Sequence, residues 1–289
     1  MVQPLPNLAI PARLITIPVS HYCEKTRWAL TRLQIPFVEE RHMPPFHRFA
    51  TREIDKGARL GHAQKKRNMS SLNRWIVQKI GGQSVPVLIT ETSIFKSSDE
   101  ILNYVDAIAP DALKLYPTNP EHRNQIDKLV HSFDSVLAPA VRLWSYSYLM
   151  KQAHLVQPLW CEGVPWFERL FFPVMFPWMR SNALQMYGIS DASTIAAHES
   201  ISRIFETVGN LRADGRAYLV GDRFSAADLA FATLAAAVVT PPGYGVKLPE
   251  LSQLPDQMAN SIQRFRETLA GKFVFHLYQE HERIGREHP

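Results

Sequence analysis

The sequence predicts two domains of different class, a small α/β domain at the N-terminus followed by an all-helical domain. Three observations lead there. The chain has 289 residues, 46% of them hydrophobic, which is enough to bury more than one core. Up to about Asp106, short β-branched runs alternate with helical periodicity. Beyond Pro110 only helical periodicity remains.

In chain order, Ala12 to Val19 is apolar and β-branched, the composition of a strand buried in a sheet. A turn at Ser20 leads into a helix over Tyr22 to Leu33, where Cys23, Thr26, Leu30 and Leu33 share one side while Glu24, Lys25, Arg27 and Arg32 fall on other faces. Pro36 to Glu40 reads as a second strand, and a β-α-β unit favours a parallel pair. Val85 to Thr90 and Ser93 to Phe95 form a hairpin, followed from Ser97-Ser98 by a helix carrying Ile101, Leu102, Val105 and Ile108 on one face. This first domain is expected over 12–108, with an insertion at about 42–82, then a linker at 109–118 and the helical domain at 119–289.

In the helical half, Ile126, Leu129, Val130, Phe133, Leu137, Val141, Trp144 and Tyr148 keep a three-four spacing through one long helix, which Pro139 should kink. Ile201, Ile204, Phe205, Val208 and Leu211 repeat the pattern. In Gly221-Asp222-Arg223-Phe224-Ser225-Ala226-Ala227-Asp228-Leu229, Ser225 and Asp228 cap each other's backbone, and Phe224 staples onto Leu229. The segment thereby starts a buried helix over Ala226 to Val238. The aromatic stretch Trp144 to Tyr187 supplies core and interdomain packing, and part of it suits a cleft wall or a dimer surface.

Composition narrows the class of function. Met1 to Ile15 lacks the basic start and apolar run of a secretory signal, and no stretch reaches the length of a membrane span. Cys23 and Cys161 stand far apart and do not form a disulfide framework, so a reducing, cytoplasmic setting is expected. The net charge of +5 is local. Ten Lys/Arg against two acids lie between Arg41 and Gly82, and the rest of the chain is slightly acidic. Without aromatic interleaving, that run reads as a solvated insertion, and no nucleic acid is expected. His42, His47 and His62 lack companion ligands at metal spacing, so no metal is expected.

Three segments in register carry a resemblance to a family: Ser20-His21-Tyr22-Cys23-Glu24-Lys25-Thr26-Arg27-Trp28-Ala29-Leu30, then Val85-Pro86-Val87-Leu88 with Ser97-Ser98-Asp99-Glu100-Ile101-Leu102, then the capping segment at Ser225. With them the chain resembles the cytosolic glutathione S-transferase superfamily, in a serine-type, bacterial-like branch with an insertion before the Val-Pro segment. The resemblance implies a thioredoxin-like N-terminal domain that binds glutathione as co-substrate and an all-α domain that binds small hydrophobic electrophiles. It also implies a homodimer and a role in detoxification.

Residue by residue, the resemblance gives Ser20 the place beside the glutathione sulfur. The main chain of Val85, before a cis Pro86, would pair with the cysteinyl peptide, and Gln83 would meet the glycine carboxylate. Ser97 and Ser98 occupy the place of the pair that holds the γ-glutamyl group. Ser97 lacks the acid usual there, and Asp99 is a substitute one position later. Cys23 matches the second cysteine of a Cys-x-x-Cys motif and offers an alternative, a glutathione-dependent thiol transferase or reductase. A second alternative is a non-catalytic binding or carrier protein of the same fold. A cation of the Lys65-Lys66-Arg67 run is a further candidate for the glycine carboxylate.

Overall fold

The computed structural model describes residues 11–52 and 84–287. Strand β1 (Ala12–Thr16) lies parallel to β2 (Phe37–Arg41) and antiparallel to β3 (Val87–Ile89), which pairs in turn with β4 (Ile94–Phe95). The sheet order is β2-β1-β3-β4. Helix α1 (His21–Arg32) makes the crossover between β1 and β2, as parallel pairing requires. A short α2 (His47–Ala50) follows β2, and α3 (Ser98–Ile108) follows the hairpin. This is the expected α/β domain, with the hairpin strands shorter than the apolar runs that predict them.

The rest of the described chain is helical: α4 (Pro120–Ser132), α5 (Ala138–Leu149), α6 (Ala153–Cys161), α7 (Trp166–Met186), α8 (Asp191–Arg212), α9 (Ala226–Val239), α10 (Asp256–Glu267) and α11 (Leu269–Glu287). Between α4 and α5 the helix does not simply kink. Phe133–Leu137 forms a π turn directly before Pro139. A proline inside a helix has no N–H to give and its ring crowds the preceding turn, and a wider turn relieves both. Asp228 caps α9, accepting from the backbone N–H of Ser225 at 2.8 Å and of Leu219 at 2.8 Å and from the Ser225 hydroxyl at 2.7 Å.

One expectation needs correction. Helix α1 has no solvent face for its charges: Glu24 is 1% exposed, Lys25 0% and Arg27 7%. Helices α3, α9 and α11 all pack against it. A helix enclosed this way buries its charges, and each then needs a partner. Among the described residues, no helix is long and apolar enough to cross a membrane.

Candidate functional site

The β1–α1 turn organises the site. Ser20 is the N-cap of α1, in extended backbone, and its hydroxyl oxygen accepts a long bond from the Cys23 N–H at 3.5 Å. The helix N-terminus places partial positive charge at this point. The antiparallel register sets Ile15 opposite Val87, so Val85-Pro86 adjoins the end of β1, just ahead of Ser20. The Val85–Pro86 peptide bond is cis. Ser97 caps α3 by accepting from the Glu100 N–H at 3.2 Å, and Ser98 is buried as the first residue of that helix. The structure therefore brings Ser20, Val85, Pro86, Ser97 and Ser98 to one end of the sheet. Gln83, His62 and the Lys65-Lys66-Arg67 run lie outside the described residues.

Cys23 is enclosed beneath this turn. Its side chain is fully buried (0% exposed), and burial pushes the thiol up, against the smaller opposing pull of Arg27 and the Ser20 hydroxyl. A thiol in that position is neither ionised at neutral pH nor open to a disulfide partner. Cys161 is buried too, its thiol pushed up to about 11 by burial.

Two buried ion networks hold the turn in place. The Lys25 ammonium donates to both oxygens of Asp134 at 2.9 Å and to Asp99 at 3.1 Å, joining α1 to α3 and to the π turn. On the opposite side, Arg27 donates to Glu24 at 2.8 Å, to Glu39 at 2.7 Å and to the carbonyl of Pro18 at 2.8 Å. Burial would raise the Glu39 carboxyl, but Arg27 and a 2.6 Å bond from Thr16 hold it below its ordinary range. Glu24 in turn accepts from the N–H of Gly245 at 3.1 Å, and Tyr244 donates to the carbonyl of Val19 at 2.8 Å, so the helical domain clamps both ends of the turn.

The start of the basic segment is packed rather than solvated. The Met43 N–H donates to Glu168 of α7 at 2.8 Å, and His42 Nδ1 lies 2.6 Å from the same carboxylate. His47 is buried and driven down to about 3, chiefly by desolvation. Among the described residues, no group of His, Cys, Asp and Glu is arranged to hold a metal.

Sequence reasoning passed over Asp134 and Arg142, which meet the first turn of α1 from the helical domain. On the helix that runs through the π turn, Asp134 and Arg142 lie against Tyr22 in the first turn of α1, while Tyr146 stands beside Arg142, Tyr187 and Trp160. The Tyr22 hydroxyl donates to the Asp134 carbonyl at 3.3 Å. The Arg142 guanidinium lies 5.7 Å from the Tyr22 ring centre and 5.1 Å from that of Tyr187. The eight-residue spacing of Asp134 and Arg142, close to two helical turns, is the signal that was present beside the apolar stripe.

Residues 14–113 match the family model described as the glutathione S-transferase N-terminal domain, and residues 181–270 match that of the C-terminal domain. Together they take in well over half of the chain. A sequence search of curated proteins finds no match. Similar solved structures include a glutathione S-transferase, CsGST63524, of Ceriporiopsis subvermispora in complex with glutathione, at 17% identity and a TM-score of 0.56, covering 94% of this chain and 98% of that one. Glutathione transferase GSTFuA3 from Phanerochaete chrysosporium is 17% identical with a TM-score of 0.54, over 94% and 97% of the two chains. The β-etherase LigF from Sphingobium sp. strain SYK-6 is 14% identical with a TM-score of 0.52, over 93% and 100%. At these identities the likeness is one of fold.

Proposed function

Since this chain belongs to the glutathione S-transferase superfamily, we propose that it binds glutathione at the β1–α1 turn and transfers the glutathione thiolate to small apolar electrophiles. The observation that carries this reading is the partly exposed Ser20 hydroxyl at the N-cap of α1, beside the Val85-Pro86 segment. A related structure of the same fold, CsGST63524, was solved in complex with glutathione.

A free thiol with a pKa of about 8.5 is roughly 3% ionised at pH 7. Lowering that pKa by about two units takes about 2.7 kcal/mol of preferential stabilisation, the scale of one hydrogen bond to the anion plus a helix N-terminus. Ser20 donates that bond. The Val85 main chain pairs with the cysteinyl peptide, and Ser98 at the start of α3 meets the γ-glutamyl carboxylate. Asp99, paired with Lys25 yet 65% exposed at its side chain, meets the α-amino group in place of the acid that Ser97 lacks. The thiolate attacks the electrophilic carbon, a C–S bond forms, and the leaving group departs with its electron pair while the thiol proton passes to solvent. The burial of Cys23 disfavours thiol transfer through that residue.

The test is calorimetry with glutathione followed by assay against chlorodinitrobenzene, benzyl chloride and an isothiocyanate. Ser20→Ala should keep glutathione affinity within a few-fold, lower kcat by about tenfold to a hundredfold, and raise the pKa read from thiolate absorbance of the bound tripeptide. Conjugation that survives Ser20→Ala unchanged removes Ser20 from the chemistry. Absence of glutathione binding removes the whole reading, and binding without any conjugation leaves the carrier.

A further inference from the structure

Between the β1–α1 turn and the end of α7 lies a cation that the glutathione reading does not use. Arg142 of α5 is largely enclosed, and its electrostatic neighbours are the phenols of Tyr187, Tyr22 and Tyr146. Its guanidinium stands 5.1 Å from the ring centre of Tyr187 and 5.7 Å from that of Tyr22. The Tyr146 and Tyr187 rings meet edge to face at 5.6 Å, and His21 packs against Tyr22 at 4.7 Å. No carboxylate among the described residues forms an ion pair with Arg142. Asp134 and Asp99, the acids beside Tyr22, are both paired with Lys25.

The two buried cations of the turn each have their anions: Lys25 has two carboxylates and Arg27 has Glu24 and Glu39. Arg142 alone among these three faces only aromatic rings and hydroxyls. Shielding a guanidinium from part of its water without an anion is costly, and its planar fork matches a carboxylate in two parallel bonds. The neutral form of His21, forced by burial and by Arg142 and Lys25, adds no competing charge. The rings around Arg142 supply an apolar wall for the body of a ligand while the guanidinium fixes its charged end.

We propose that Arg142 is a specificity-determining residue that selects electrophiles bearing a carboxylate on an aromatic body, held between Tyr22 and Tyr187 with the reactive carbon toward Ser20. This rests on the transferase reading above and narrows its substrate class from apolar electrophiles to aryl carboxylates. For a carboxybenzyl chloride, the glutathione sulfur bonds to the benzylic carbon, chloride leaves with the C–Cl electron pair, and the carboxylate stays paired with Arg142 throughout.

The test compares S-benzylglutathione with S-(para-carboxybenzyl)glutathione by calorimetry on the full chain, which needs no turnover. Wild type should bind the carboxylated conjugate roughly tenfold to a hundredfold more tightly than the plain one, the scale of a hydrogen-bonded charge pair. Arg142→Met should abolish that ratio, and Arg142→Lys should keep part of it because the charge remains without the fork. Circular dichroism shows whether each variant is folded, and Arg142→Lys carries the comparison if Arg142→Met is not. Equal affinity of wild type for the two conjugates, or a ratio unchanged in Arg142→Met, overturns the proposal. Failure to bind either conjugate or glutathione itself is the distinct failure of the transferase reading.

Discussion

At the scale of single residues, the site depends on how buried charges are matched. Lys25 is the strongest case, with a side chain wholly enclosed and three contacts of 2.9–3.1 Å to Asp99 and Asp134. Burial already raises the Asp134 carboxyl above its ordinary range, Lys25 opposing that shift. Lys25→Met should therefore cost about 2–4 kcal/mol, read as the shift in a urea midpoint, because an enclosed carboxylate loses its cation. Adding Asp134→Leu to Lys25→Met should recover part of the loss, and strict additivity of the two changes would show that the pair is not coupled. The N-cap position of Ser20 was legible in the sequence because it follows from the strand-to-helix turn around it. Lys25 and Arg142 were not, because the contacts of Lys25 with Asp99 and Asp134 and of Arg142 with Tyr22 and Tyr187 join segments distant in the chain, which no local pattern encodes. Lys25 looked like one more charge on an outer helical face.

At the scale of elements, local chemistry was readable wherever both partners lie within a few residues. The Ser225–Asp228 cap and the helix it starts at Ala226 stand where the spacing puts them, and the helix ends at Val239. Asp228 also accepts from the Leu219 N–H, a contact nine residues upstream that the capping pattern does not contain. Asp228→Ala strips three donors of their acceptor inside the core, so it should cost about 2–4 kcal/mol in chemical denaturation. Asp228→Asn should cost less, since an amide oxygen still serves one donor, and equal costs would mean that the acceptor is not what matters there. The long stripe from Ile126 to Tyr148 shows the limit of periodicity. Apolar spacing identified the helix and Pro139 its irregularity, but the π turn over Phe133–Leu137 depends on how the backbone accommodates the ring. That turn also re-phases the helix, so that Asp134 reaches Lys25 and Tyr22 while Arg142 lies beside Tyr22 and Tyr187.

For the whole molecule, the sheet domain and the helical domain share α1 as a common core. Glu24 accepts from Gly245, Arg41 donates to the Gly245 carbonyl at 3.1 Å, and a Cβ at Gly245 would come within 2.5 Å of Glu24. One turn further along the same side of α1, Trp28 stacks on His281 of α11 at 4.2 Å and meets Tyr278 edge to face at 4.6 Å. Domains joined this closely should unfold as one unit, with tryptophan fluorescence and far-ultraviolet circular dichroism giving coincident denaturation curves. The same contact makes the joint sensitive to acid. Burial and the nearby Arg32 hold His281 down to about 4, against an ordinary value of 6.5. Between those values the unfolded chain takes up a proton that the folded chain refuses, so stability rises with pH through this window and is level above it. Lowering the pH from 8 to 5 should therefore remove about 1–2 kcal/mol through this one residue. His47, held at about 3, adds a loss of the same sign. Asp228 works against them below pH 6, because burial lifts its carboxyl to about 6 and the folded state then keeps a proton that the unfolded one releases. His281→Phe preserves the ring against Trp28 and removes the titration, so its midpoint should fall less than that of wild type between pH 8 and pH 5. Parallel loss in the two proteins would place the acid sensitivity away from the joint between the domains.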